Sequence, residues 1–125
     1  MKELTKAEEQ VMQILWDLEK GFVRDIIDKM PNPKPAYNTV STIVRILEKK
    51  GFVSYKAYGK THEYYPIVNK NDYRRFTLKN MVSNYFGGSF EKLVSFFAKE
   101  NDLDINQVEE LMKNVKDDMK NKDNK

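Results

Sequence analysis

Apolar residues over the first fifty positions recur at intervals of three and four, the spacing of amphipathic helices. Leu4, Ala7, Val11, Ile14, Leu15 and Leu18 form one stripe, and Thr5 followed by Glu8 has the spacing of a capping box. Together they predict a first helix over about residues 5–19, ended by Gly21. Phe22 has room for a very short strand. Val23, Ile26, Ile27 and Met30 then predict a short second helix. The run Pro31-Asn32-Pro33-Lys34-Pro35 cannot prolong it, because each proline lacks an amide donor and biases its predecessor toward extended backbone. A third helix starts near Pro35, turns Val40, Ile43, Val44 and Leu47 inward, and stops at Gly51. Beyond Gly51 the period falls to two. Phe52, Val53 and Tyr55 precede a turn at Tyr58-Gly59-Lys60, and Tyr64 and Tyr65 follow it before Pro66, which reads as a β-hairpin with a basic tip.

Helical spacing returns from Asn69. Asp72, Tyr73, Phe76, Leu78, Met81, Val82 and Tyr85 predict a fourth helix interrupted at Gly87-Gly88, and Phe90, Leu93, Val94, Phe96 and Phe97 a fifth that begins at Ser89. Asp104 and Gln107 resemble a second capping box, leading into a last helix with Ile105, Val108, Leu111, Met112 and Val115 and then a charged tail from Lys116. The fold class is therefore mainly α. Helix, helix, helix, hairpin over residues 1–68 is the winged helix-turn-helix order, in which the third helix enters a major groove. Residues 69–120 form a three-helix region, and 121–125 a flexible charged tail. A segment this small and this apolar cannot bury its own surface, so a second copy is the simplest cover. Phe76, Tyr85, Phe90, Leu93, Phe97, Val108, Leu111 and Met112 are the expected dimer interface. The same aromatic stripe could instead line a small-molecule pocket, as in ligand-sensing regulators.

Composition narrows the chemistry. Absence of cysteine removes disulfides and thiolate sites, and a single histidine, His62, leaves no His-based metal cluster or Ser/His/Asp triad. No nucleophile, base and orienter can be assembled, so an enzyme is not expected, nor a metal or a cofactor. Charges in the first ten residues leave no signal-peptide core, and no later window is apolar enough to span a bilayer, which places the chain in the cytoplasm without membrane insertion. The net charge of +3 is small, but its distribution is uneven. Lys34, Arg45, Lys49, Lys50, Lys56 and Lys60 lie within residues 34–60 against the single acid Glu48. That block coincides with the third helix and the hairpin.

Asn38, Thr39, Ser41, Thr42 and Arg45 lie off the apolar stripe of the third helix, with Asn38, Thr42 and Arg45 sharing a face. In a major groove Asn reads adenine, Thr meets a phosphate or a thymine methyl, and Arg reads guanine or neutralises a phosphate. An ordinary solvated helix face would carry the same residue types, and the hairpin shifts the balance toward double-stranded DNA. Lys56 and Lys60 at the wing suit phosphate contact or a place in a minor groove. Lys49 and Lys50 either meet phosphates or complement the helix dipole. His62 is expected as a cross-strand partner and Trp16 as packing between the first helix and the wing. A winged helix that binds protein partners remains the rival reading.

Several segments together resemble one family: Leu4-Thr5-Lys6-Ala7-Glu8, Val11 to Trp16, Asn38 to Ile43, Leu47 to Val53, and Tyr64-Tyr65-Pro66. They look like the penicillinase-repressor (BlaI/MecI/CopY) family of bacterial transcriptional regulators, over nearly the whole chain. The resemblance implies a homodimer on a palindromic operator, repressing by occupancy and dimerising through its C-terminal helices. It places recognition contacts on Asn38, Thr39 and Thr42. The family's later basic residue falls one position early, as Arg45, and is aimed at a phosphate. In the β-lactam-responsive branch a membrane sensor protease system leads to cleavage in the penultimate helix. The matching bond is Ser95-Phe96, with Ser95 where that branch has Asn. The copper-responsive branch uses a C-terminal cysteine cluster, which this chain lacks.

Overall fold

The computed structural model describes residues 1–123, in the order α1 (Lys6–Leu18), α2 (Val23–Asp28), α3 (Tyr37–Lys49), β1 (Val53–Tyr58), β2 (Thr61–Pro66), α4 (Lys70–Tyr85), α5 (Phe90–Glu100) and α6 (Ile105–Asp123). No helix among these residues is long and apolar enough to cross a membrane. The chain divides into two compact units, residues 1–78 and the part from Lys79 onward.

In the first unit the capping box closes α1. Thr5 Oγ1 accepts from the Glu8 amide at 3.2 Å and Glu8 Oε1 accepts from the Thr5 amide at 3.1 Å, satisfying two of the donors a helix start leaves open. One face of α1 then buries Val11, Met12 and Leu15 against Ile26 of α2 and Val40, Val44 and Leu47 of α3. The proline-rich turn between α2 and α3 contains a cis Asn32-Pro33 bond. Lys34 Nζ donates to the carbonyls of Asp28 and Met30 at 2.9 and 2.5 Å, so this lysine finishes the C-terminal end of α2 and does not belong to an open basic surface.

Gly51, with φ of 82°, ends α3 in a Schellman motif: its amide donates to Glu48 and that of Phe52 to Leu47. This reversal drives Phe52 into the core, where it is fully buried and meets Tyr73 edge-on with ring centroids 5.6 Å apart. Strands β1 and β2 pair antiparallel from Val53↔Pro66 to Tyr58↔Thr61. Gly59 supplies the positive φ, 62°, at the first central position of the two-residue turn, as a type II′ hairpin requires. The very short strand expected at Phe22 is a single bridge one residue earlier, Gly21↔Tyr64, with hydrogen bonds of 2.9 and 2.8 Å. That bridge fastens the hairpin to the start of α2.

The first unit ends ten residues later than the expected junction at 68. Tyr73 is buried in its core, its hydroxyl accepts from the Leu4 amide at 3.0 Å, and Phe76 packs beside it at 6.0 Å. Phe76, expected at a dimer interface, is half-buried against the winged-helix core: three positions after Tyr73 on α4, it follows the same face. Trp16 packs near Tyr73 at 6.0 Å and donates Nε1 to the Val68 carbonyl at 2.9 Å, so it braces the segment after the wing and not the wing itself.

The second unit holds the end of α4 with α5 and α6. Ser89 caps α5, and Asp104 and Gln107 make the reciprocal bonds expected of a capping box at 2.8 and 2.9 Å. Helix α6 continues to Asp123, past Lys116 and past residue 121, where a tail was expected; Asn124 and Lys125 of that tail lie outside the described residues. No residue of α5 is buried. Tyr85, Phe90, Phe97, Leu111 and Met112 are exposed, and Leu93 and Val108 half-buried.

Candidate DNA interface

The outer face of α3 follows from its apolar stripe. With Val40, Val44 and Leu47 drawn into the core, Asn38, Thr42, Arg45 and Lys49 recur at four, three and four residues on the opposite side, and all four are exposed, as is Thr39 beside them. Thr42 Oγ1 donates to the Asn38 carbonyl at 2.9 Å. Its proton is therefore spent inside the helix, and what it offers outward is a methyl group and oxygen lone pairs. Ser41 departs from expectation. It is buried on the flank of the stripe, 8% exposed, and its hydroxyl accepts from Arg45 Nη2 at 3.0 Å. The side chain expected to touch DNA tethers the guanidinium one turn on and lines the cleft beside it.

Arg45 is thereby held toward a cleft of about 530 Å³ between α2, α3 and β2, lined by Arg24, Tyr37, Ser41, Arg45, Lys60 and His62 among others. Arg45 and Lys60, fifteen residues apart in sequence, share this one surface. Lys56 does not line it. Strand alternation puts Lys56 opposite Glu63 on the hairpin face away from buried Tyr64, with its ammonium 5.3 Å from the Tyr58 ring. Lys49 is exposed in the last turn of α3. His62 stacks on Tyr55 at 4.0 Å with the rings 7° from parallel, a contact across the hairpin that stiffens the wing beside the cleft.

Lys50 leaves the basic block altogether. It pairs with Glu8 at 2.5 Å and donates to the Glu3 carbonyl at 3.3 Å, joining the end of α3 to the start of α1. Burial by itself raises the Glu8 pKa, but the hydrogen bond and charge of Lys50 with the Thr5 bonds outweigh it, and the carboxyl sits below its ordinary value. Burial also pushes the Tyr64 hydroxyl up, reinforced by the Glu48 carboxylate, so Tyr64 is neutral at the base of the wing.

Tyr37 and Arg24 are cleft residues that the sequence reading does not single out. Tyr37 opens α3 in line with Ser41 and Arg45 at four-residue steps, which helical spacing could have shown. Arg24 comes from another helix, with its guanidinium carbon 5.7 Å from the Tyr37 ring centroid, and no local signal links the two. In the second unit, Ser95 and Phe96 are both exposed in the middle of α5. Phe96 also edges onto Phe86 at 5.6 Å and borders an open hollow of about 760 Å³ with Met81, Tyr85, Lys92 and Lys99.

This arrangement of an exposed polar recognition helix beside a basic wing agrees with what comparison finds. The family model of the penicillinase repressor matches residues 4–117. The methicillin resistance regulatory protein MecI of Staphylococcus aureus (strain N315) is 33% identical over 110 residues, covering 87% of this chain and 89% of that protein. The penicillinase repressor of Staphylococcus aureus is 26% identical over 110 residues, with 87% of each covered. Among solved structures, the DNA binding domain of the repressor BlaI superposes with a TM-score of 0.50 at 25% identity, covering 58% of this chain and 94% of that domain. With a family match that takes in both structural units, the chain belongs to the penicillinase repressor family.

Proposed function

We propose that this protein is a sequence-specific DNA-binding transcriptional repressor, acting as a homodimer on a palindromic operator. The observation that carries the reading is the convergence of Arg45 and Lys60 on one cleft beside the exposed Asn38, Thr39 and Thr42 face of α3. Bases are read by the short polar residues of α3, and the wing and Arg45 hold the phosphate backbone in register. The relatives named MecI and penicillinase repressor support regulation by repression, and the BlaI domain supports DNA as the ligand.

Dimerisation rests on the second unit. Its helices leave Tyr85 79%, Phe90 52% and Phe97 50% exposed, more large apolar surface than so short a segment leaves open without a partner. A C2 pair also matches a palindrome, since each half-site then meets one wing and one α3. The hollow bordered by Tyr85, Phe86 and Phe96 favours a second reading, a dimeric regulator that senses an apolar ligand there.

The test is binding of the purified protein to genomic fragments at two salt concentrations, with stoichiometry by light scattering. Selective, salt-sensitive binding of one dimer to a few palindromic promoter fragments is the expected result. A folded dimer without selectivity would reject the repressor reading in favour of a protein-interaction module.

A further inference from the structure

We infer that Arg24, on α2 and outside both the recognition helix and the wing, is a DNA-backbone contact that completes a three-cation phosphate seat with Arg45 and Lys60. The inference rests on the DNA-binding reading and adds a residue from a third element to it. All three cations line the same cleft, against one carboxylate, Asp25. That carboxylate is already engaged, since its Oδ2 accepts from the Phe22 amide at 2.9 Å. Each cation is held by a different device. Ser41 tethers Arg45, the type II′ turn fixes the backbone of Lys60, and the Tyr37 ring lies against Arg24.

The Tyr37 contact matters because the ring, 5.7 Å from the guanidinium carbon, carries no opposite charge and leaves the cation of Arg24 unneutralised. Among the described residues the ion pairs are Lys50 with Glu8 and Arg75 with Asp72, and neither takes Arg24. An exposed guanidinium beside an aromatic ring, sharing a cleft with two other cations, is suited to a phosphodiester, which accepts planar N–H pairs. Phosphate contacts set register without reading sequence, so Arg24 governs where the α3 face lands and not which bases it prefers.

The experiment pairs Arg24→Gln with a duplex series in which a neutral methylphosphonate replaces one backbone phosphate at a time. Arg24→Gln is expected to weaken operator and random duplex by the same factor. It should also lower the salt slope by about 0.9 per protomer. At one phosphate per half-site, neutralisation should weaken the wild type while leaving Arg24→Gln unchanged. Arg24→Lys should recover the slope and only part of the affinity. If every neutralised phosphate weakens wild type and Arg24→Gln alike, or the slope does not move, Arg24 touches no phosphate and the inference is overturned. Loss of operator binding by the wild type itself would instead remove the DNA reading. Circular dichroism and the melting temperature of Arg24→Gln, altered at an exposed side chain, separate either result from misfolding.

Discussion

Replacing Lys60 by Gln tests the electrostatic half of the proposed interface at the tip of the wing. Together with Arg24 at the cleft, Arg45, Lys49 and Lys60 are exposed cations that neither of the ion pairs among the described residues takes, which in the proposed dimer gives about eight phosphate contacts. Counterion release at about 0.9 ions per contact then sets a slope of log affinity against log salt near −7, so that doubling the salt costs roughly a hundredfold. Lys60→Gln removes about two of the eight contacts, lowering the slope to about −5.5 and the affinity at 0.15 M salt by roughly thirtyfold. Fluorescence anisotropy with a labelled operator and a random duplex of equal length, over a series from 0.05 to about 0.4 M potassium chloride, reads both quantities. The loss must be equal on the two duplexes if Lys60 meets only the backbone, since phosphate contacts carry no sequence information. An unchanged slope, or a loss confined to the operator, would refute the assignment.

Thr42→Ala is expected to weaken operator binding by about 1 to 3 kcal/mol and leave random DNA nearly untouched, since it removes the methyl and lone pairs that Thr42 turns outward; equal losses on both duplexes would reject a base-reading role. Glu8→Ala removes the α1 capping box and leaves Lys50 unpaired, which should cost about 2 to 3 kcal/mol in urea unfolding, near the low end for a broken buried pair because Lys50 keeps partial access to water. The folded-state pKa of Glu8 is lowered, so its contribution is fully present above the ordinary value of 4.5 and is lost as pH falls through the folded value. Glu8→Gln keeps the cap without the charge and should flatten that acid limb; a variant with the wild-type acid profile would contradict the coupling. In the proposed homodimer Phe97→Glu would place a carboxylate twice in an isologous interface and is expected to raise the dissociation constant at least a hundredfold in sedimentation equilibrium, with melting of the winged unit unchanged. A persistent dimer would move the interface off α5.

Much of this protein was legible from local chemistry alone. Periods of 3.6 and 2 in the apolar positions are set by backbone geometry, so Val11 to Leu18, Val40 to Leu47 and the alternation after Gly51 located α1, α3 and the hairpin without any tertiary knowledge. Thr5 with Glu8, Asp104 with Gln107 and Gly51 likewise act within a few residues of themselves. What the sequence left open was which of several equivalent groups the fold would use. Lys34, Lys49, Lys50 and Lys60 are interchangeable as charges, and only packing showed that Lys34 closes α2 and Lys50 answers Glu8 from 42 positions away, while Lys60 meets Arg45 at the cleft. Ser41 and Phe76 carry the same lesson. Each lies at the flank of an apolar stripe, where helical periodicity is ambivalent, and the neighbouring elements decided its surroundings: Ser41 lines the cleft beside α2 and the wing and holds Arg45 there, and Phe76 packs half-buried against the first unit's core beside Tyr73. Helices and turns are local solutions that a chain can announce in advance, whereas a binding surface is a coincidence of distant residues that exists only once the core has fixed their distances.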